Sequence, residues 1–352
     1  MTAEDAFLDD IRENPEDDAV RLIYADWLED RGAPGDADRA EFIRVQVGAV
    51  ALQGQELARS HRRARDLLEL HWDEWTKPIW RILGRKTHAS VAPFGFRRGF
   101  LHELTLDAAE LFAHHRALFR LGPIGKIRLL AAGGQGVALS ECEPLSRLHE
   151  LEFADYFREP FTASDMMALA NSPHLGRLRV LRLSRNNLGD AGVYALAGAA
   201  WLAGVVALDL TDNGLSLDGV LALARTRYPF RPFSLRLARN PIGASTMALG
   251  PLPQMLGIAA SADPNILKEV VELDLGHCHL DRRDLALLAS LPLGTLRALD
   301  LAGNGLDDEG ARTLVRAPWM RGLRRLGLRN HALTHEGLAL LAPLVSRTNV
   351  EL

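Results

Sequence analysis

The chain has 352 residues, 47% hydrophobic and 24% charged, with a formal net charge of −4; these are globular proportions and exclude a disordered chain. Charge is uneven: Met1 to Asp36 holds twelve acids and three bases, Ala37 to Phe100 seven acids and twelve bases. From Leu101 onward 26 acids balance 26 bases, which argues against nucleic acid or an anionic membrane as the partner of that part.

The first hundred residues read as helical. Ala3 to Asn14 is predicted to be a short amphipathic helix burying Phe7, Leu8 and Ile11. Asn14-Pro15 is expected to start a second helix, as cap and first-turn proline, with Glu16, Asp17 and Asp18 favouring its dipole and Gly32 stopping it. Val20, Ile23, Tyr24, Trp27 and Leu28 form its apolar stripe. Two more helices are predicted near Asp38–Leu52 and Glu56–Trp75, the latter closed by Pro78. Asp26 and Asp30 share a helix face and read as solvated acids, not metal ligands; His61-Arg-Arg-Ala-Arg65 reads as a surface basic patch.

The stretch Phe7 to Gly32, with its Tyr24-Ala-Asp-Trp-Leu-Glu-Asp30 core, and its continuation Arg39 to Gln46 closely resemble the bacterial repeat-companion domain. That resemblance implies a bacterial protein with a repeat array behind the module, and it implies no activity.

The array is visible from Leu101. Leu178-Arg-Val-Leu-Arg-Leu-Ser-Arg-Asn186-Asn-Leu188 alternates like a half-buried strand and then turns at an asparagine. The phrase returns, so that repeats start at Leu101, Ile124, Leu148, Leu178, Val205, Pro232, Val270, Leu296 and Leu323, mostly 23 to 30 residues apart. One interval of 38 implies an insertion near Gly250–Pro264, a place where repeat arrays often carry a binding loop. The turn asparagine stands at Asn186, Asn213, Asn240 and Asn304, with Cys278 and His331 in its place elsewhere, and is expected to satisfy backbone groups from inside the coil. A second pattern, Gly192/Leu196, Gly219/Leu223, Gly310/Leu314 and Gly337/Leu341, predicts a helix after each strand. Trp201, Tyr228 and Trp319 share one register and read as a core column.

This is similar to leucine-rich repeats, of the ribonuclease-inhibitor-like type. The resemblance implies an α/β fold: a right-handed leucine-rich repeat solenoid, a horseshoe with parallel β-strands on the concave face and helices on the convex face. Residues 1–90 are expected to form an N-terminal α-helical cap module and residues 91–352 about nine repeats.

Catalytic signatures do not assemble. Gly133-Gly-Gln-Gly136 lacks a phosphate-loop lysine, and His149-Glu150 and His335-Glu336 lack the second histidine of a zinc helix. His277-Cys278-His279 cannot converge on a metal in strand register, and an inward cysteine is inert. Two cysteines make no disulfide framework, no apolar run reaches the ~20 residues of a membrane span, and the acidic N-terminus is no signal segment; a cytoplasmic protein is expected.

The expected function is a non-catalytic protein-binding scaffold with no cofactor. The alternatives are an effector-type, ligase-like enzyme using the repeats to recognise substrate, and a nucleic-acid-binding repeat protein. Register proposes the binding face. The fifth residue of successive repeats gives Arg128, Glu152, Arg182, Asp209, Arg236, Asp274 and Asp300; the eighth gives Asp155, Arg185, Asp212, Arg239 and His277. Neighbouring strands lie ~4.8 Å apart, so alternating signs predict two ion-pair ladders.

Overall fold

The computed structural model describes residues 2–84, 94–154, 159–224, 226, 228, 230–243, 267, 269–345 and 348–351. Asp155 and the Gly250–Pro264 insertion lie outside the described residues. The chain divides into two compact units, Met1–Arg128 and Leu129–Leu352.

In the first unit, helix Ala3–Glu13 opens with a reciprocal cap between Thr2 and Asp5. The second helix begins later than Asn14-Pro15 predicts. It runs Asp18–Arg31 from an Asp17 cap to Gly32, whose φ of 63° is the left-handed stop, while Asn14 closes the first helix instead. The buried guanidinium of Arg21 explains the shift, because it donates to Pro15 O at 2.6 Å and Asp17 O at 2.7 Å and ties that corner into a turn. Arg21 and Ala25 are therefore inside and Ile23 is 56% exposed, contrary to the predicted stripe. Trp27 is only half-buried, with Arg31 4.5 Å above its ring.

Helices Asp36–Gly48, Gly54–Leu70 and Trp72–Leu83 follow. The break falls at His71, and Pro78 sits inside the last helix where the sequence suggested a stop. Strands β1 (Phe94–Arg97) and β2 (Phe100–Asp107) then form an antiparallel hairpin. Its turn uses Arg98 at φ 51° and Gly99 at φ 85°; a Cβ on Gly99 would stand 2.4 Å from Ile43 Cγ1, so no other residue fits. Phe100 thereby enters the core of Ile11, Tyr24, Ala25, Leu28, Ala40 and Ile43. The Arg39 guanidinium faces the rings of Phe42, Trp75, Phe96 and Phe100 within 6 Å, and desolvation pushes its pKa down to about 10. Helix Ala108–Leu118 completes this unit, and β3 (Lys126–Leu130) spans the junction.

The second unit repeats one theme. Strands β4 (Glu150–Phe153), β5 (Val180–Arg182), β6 (Ala207–Asp209), β7 (Ser234–Arg236), β8 (Glu272–Asp274), β9 (Ala298–Asp300), β10 (Arg325–Gly327) and β11 (Asn349–Glu351) pair in parallel, in chain order. Each from β4 to β10 begins at the third residue of a predicted repeat; β11 adds a strand that the repeat phrase did not reveal. Leu151, Leu181, Leu208, Leu235, Leu273, Leu299 and Leu326 align in register and are at most 4% exposed, a continuous row of buried leucines. The short helices between strands, among them Gly189–Ala197, Leu217–Ala224, Arg282–Ser290, Asp308–Val315 and His335–Val345, pack on their sequence neighbours.

The turn asparagines do what their spacing implies. Asn240 Nδ2 donates to Leu210 O in the preceding repeat and to Leu237 O and Ala238 O in its own, while its Oδ1 accepts from Asn213 N and Leu215 N. Asn186 and Asn304 likewise bridge their own repeat and the one before it, whereas Asn213 donates to Leu183 O and Thr211 O but its buried Oδ1 finds no partner among the described residues. Cys278 donates through Sγ to Leu237 O at 3.3 Å. Trp201 and Trp319 are buried, their Nε1 groups donating to Ala170 O and Leu288 O, as a core column should, whereas Tyr228 is only half-buried. Among the described residues, no helix is long and apolar enough to cross a membrane.

Candidate functional site

Strand alternation decides what the sheet offers outward. The fourth residue of each repeat is the buried leucine, so the third and fifth point to the other, open face. The fifth column contains the predicted residues: Glu152, Arg182, Asp209, Asp274 and Asp300 are half-buried, Arg128 and Arg236 exposed. Pairing places Glu152 beside Arg182, Arg182 beside Asp209, Asp209 beside Arg236, and Arg236 beside Asp274. Alternation then ends, because Asp274 lies directly beside Asp300.

The predicted ladder forms only in part. Arg236 Nη1 reaches Asp209 Oδ2 at 3.9 Å, the outer limit of an ion pair. Arg182 instead bonds Glu150, a third-column residue on β4. The aspartates are also occupied by a task that register does not reveal. Asp209, Asp274 and Asp300 accept from the amides two residues on, Thr211, Gly276 and Ala302, at 2.8 to 3.0 Å. They hold the strand-to-turn corner of their own repeats.

The eighth column is not part of the strands. Arg185, Asp212, Arg239 and His277 have φ between 56° and 58°, and Asn330 at 60° and Ala131 at 46° share the left-handed region. They are the left-handed residues that set the inward asparagine, and most stand exposed at the corner. Asp212 and Arg239 form no ion pair among the described residues, so the second ladder is not built there. A left-handed corner splays its side chains away from the strand direction, which strand spacing alone cannot anticipate.

Sequence reasoning missed the third column, although the same two-residue period contains it. Ser234 Oγ lies 3.2 Å from Glu272 Oε2, and Arg325 reaches across β9 to Glu272 at 4.0 Å. With Arg236, Asp274, Asp300 and Glu351 these residues line a depression of about 270 Å3 over β7 to β11. Its floor is low because β9 and β10 carry Ala298 and Gly327; a Cβ at Gly327 would stand 2.7 Å from Asp300 Oδ1. Burial first, and then the carboxylates of Asp300 and Asp209, push the Asp274 pKa above the ordinary aspartate value.

Chemistry at the His277-Cys278-His279 turn follows from burial. Cys278 is fully buried, its thiol pushed up to about 12, and His279 points to solvent from its own left-handed corner. A protonated, inaccessible thiol is no nucleophile at neutral pH. Among the described residues no three His, Cys, Asp or Glu side chains gather in a metal-binding arrangement.

A leucine-rich repeat family model matches residues 178–197, 205–224 and 295–315. These segments start at or beside the repeat starts Leu178, Val205 and Leu296, so leucine-rich repeats are present in the second unit. No curated protein matches the chain. Among solved structures, an internalin from Listeria monocytogenes is similar, with 16% identity over 71% of this chain and a TM-score of 0.31. The alignment spans 58% of that structure's length.

Proposed function

We propose that the protein is a non-catalytic, cytoplasmic scaffold that binds another protein through the open, concave face of its repeat sheet. In this reading the array is a right-handed, ribonuclease-inhibitor-like horseshoe. The helical module of residues 1–90 resembles the repeat-companion domain and caps the array's first repeats, and the Gly250–Pro264 insertion is a further contact.

The observation that carries the reading is the composition of the open face. Along the sheet of the second unit Glu152, Arg182, Asp209, Arg236, Asp274 and Asp300 set both signs of charge in one register, with Arg185, Asp212, Arg239 and His277 at its corners; Arg128 and Asp155 are assigned to the proposed face by repeat position alone. Pairs this exposed contribute only ~0–1 kcal/mol each to the fold, so their ordered charge pattern is better suited to choosing a partner than to stability. Mixed charge with little net field also favours a protein over nucleic acid, whose binding depends on a concentrated positive field. The effector-enzyme alternative finds no nucleophile at Cys278.

Hydrogen exchange of the full chain, alone and with a partner purified from its source cells, tests this. Protection is expected at the amides of β4 to β10. Protection confined to the helices of Ala3–Leu83 would overturn the assignment of the face.

A further inference from the structure

The helical unit carries a groove that the repeat sheet does not explain. It lies between helices Asp36–Gly48 and Gly54–Leu70 and strand β1, with a volume near 420 Å3, within the ~300–1,000 Å3 span of ligand-holding pockets. Val45, Leu68 and Phe96 form its floor, half-buried against the cluster of Phe42, Ala64 and Leu67. Val50 stands at the lip, 66% exposed. An apolar surface that is open to water and rimmed by polar groups marks an interaction site.

The charge around it has one sign. His61, Arg65, Arg97 and Arg98 line the groove, and no carboxylate does. Arg98 is already held by Glu16 at 2.8 Å and Asp18 at 3.4 Å. Arg63, from the same basic run, is committed to Glu41 by two contacts of 2.6 Å. Arg65 and Arg97 are exposed, and neither has an ion pair or a hydrogen bond among the described residues. His61, Arg65 and Leu68 recur at i, i+4 and i+7, so one helix face presents charge and apolar surface together.

We propose that this groove docks an acidic amphipathic helix of a partner protein, its apolar side chains on Val45, Leu68 and Phe96 and its carboxylates on Arg65 and Arg97. A phosphate chain would satisfy the arginines but leave the aliphatic floor wet; an acidic amphipathic helix covers both. The site stands apart from the sheet reading and holds even if the sheet binds nothing.

A displayed random-peptide library selected on the full chain, with counter-selection on the R65E/R97E variant, tests this. Both arginines are exposed, and a matching thermal melt confirms that the variant folds. Enriched peptides are expected to carry apolar residues at i, i+3, i+4 and i+7 flanked by Glu or Asp. Their affinity, read by fluorescence anisotropy, should fall about tenfold on R65E/R97E, the size of a modest electrostatic loss, and fall also on V50E. Enrichment of peptides without that pattern, or equal binding to wild type and R65E/R97E, overturns the proposal. So does tighter binding of oligothymidylate or of phosphatidylserine vesicles than of any selected peptide.

Discussion

Asp284 is a carboxyl whose position is visible in sequence and whose energetics are not. It stands three residues after Asp281, and together they close the start of helix Arg282–Ser290: Asp284 Oδ2 accepts from Asp281 N at 2.9 Å, and Asp281 accepts from the amides of Arg283 and Asp284. Asp284 is 1% exposed, and burial pushes its pKa up to about 6. The fold therefore binds this proton more tightly than the unfolded chain does, whose aspartates titrate near ~3.9. The stabilisation from that proton is complete below about pH 4 and is lost as pH rises through about 6. Asp284→Asn keeps an acceptor oxygen for the cap and carries no charge. Thermal melts should show it more stable than wild type at pH 7, with the difference vanishing near pH 4; a pH-independent difference would refute the account. The eighth-column residues are the opposite case, illegible even in position. Nothing about Arg185 or Arg239 announces φ > 0, a conformation more often taken by glycine, asparagine, aspartate or histidine.

Among elements, the strand phrase was readable because leucine periodicity is burial periodicity: the row from Leu151 to Leu326 is the pattern itself, folded. The helical breaks were less readable. His71 interrupts two helices without glycine or proline, and Pro78 fails to, because the chain follows the packing of Trp75 and Trp80 on Phe42 and Phe94 rather than local propensity. The turn at Cys278 lies between these cases. Its sequence position identifies it as an asparagine substitute, and its structure identifies what the substitution forfeits. Where Asn240 offers Oδ1 to Asn213 N and Leu215 N, Cys278 has no oxygen for the equivalent pair, and Ile242 N turns to Asn240 O at 2.7 Å. Cys278→Asn is expected to stabilise the second unit by about 1 kcal/mol, and Asn240→Ala to destabilise it by about 2–3 kcal/mol by stranding buried amides. Urea unfolding of the two variants checks both signs; a destabilised Cys278→Asn would mean that the pocket is too tight for the amide.

Across the whole chain, the charge imbalance so visible in the sequence is largely spent inside the first unit. Arg44 meets Asp26 and Glu29, and Arg98 meets Glu16 and Asp18, so the acidic opening segment is answered by the basic one that follows it, while Arg31 meets Glu4 and Asp36 within the opening segment itself. Arg65 and Arg97 are among the bases that no described carboxylate pairs with, and composition alone could not place them together at one groove. The proposed face of the second unit was half legible, since the fifth column follows from register, while the third column and the aspartates' turn bonds needed side-chain directions.

The asparagine contacts also give the array a mechanical polarity. Taking away the repeat on the carboxyl side strips acceptors from two buried amides, as Asn304 serves Cys278 N and Leu280 N. Taking away the repeat on the amino side removes one of three acceptors from an asparagine that keeps the other two, as Asn240 keeps Leu237 O and Ala238 O. Pulled between its ends in an optical trap, the second unit should unravel from the carboxyl end, one repeat at a time. The releases of 26 or 27 residues should lengthen the tether by roughly 9 nm each, and that of the 38-residue repeat by roughly 13 nm. Asn304→Ala should lower the force of an early step and leave later ones untouched, so the fold behaves as a zipper with a preferred end.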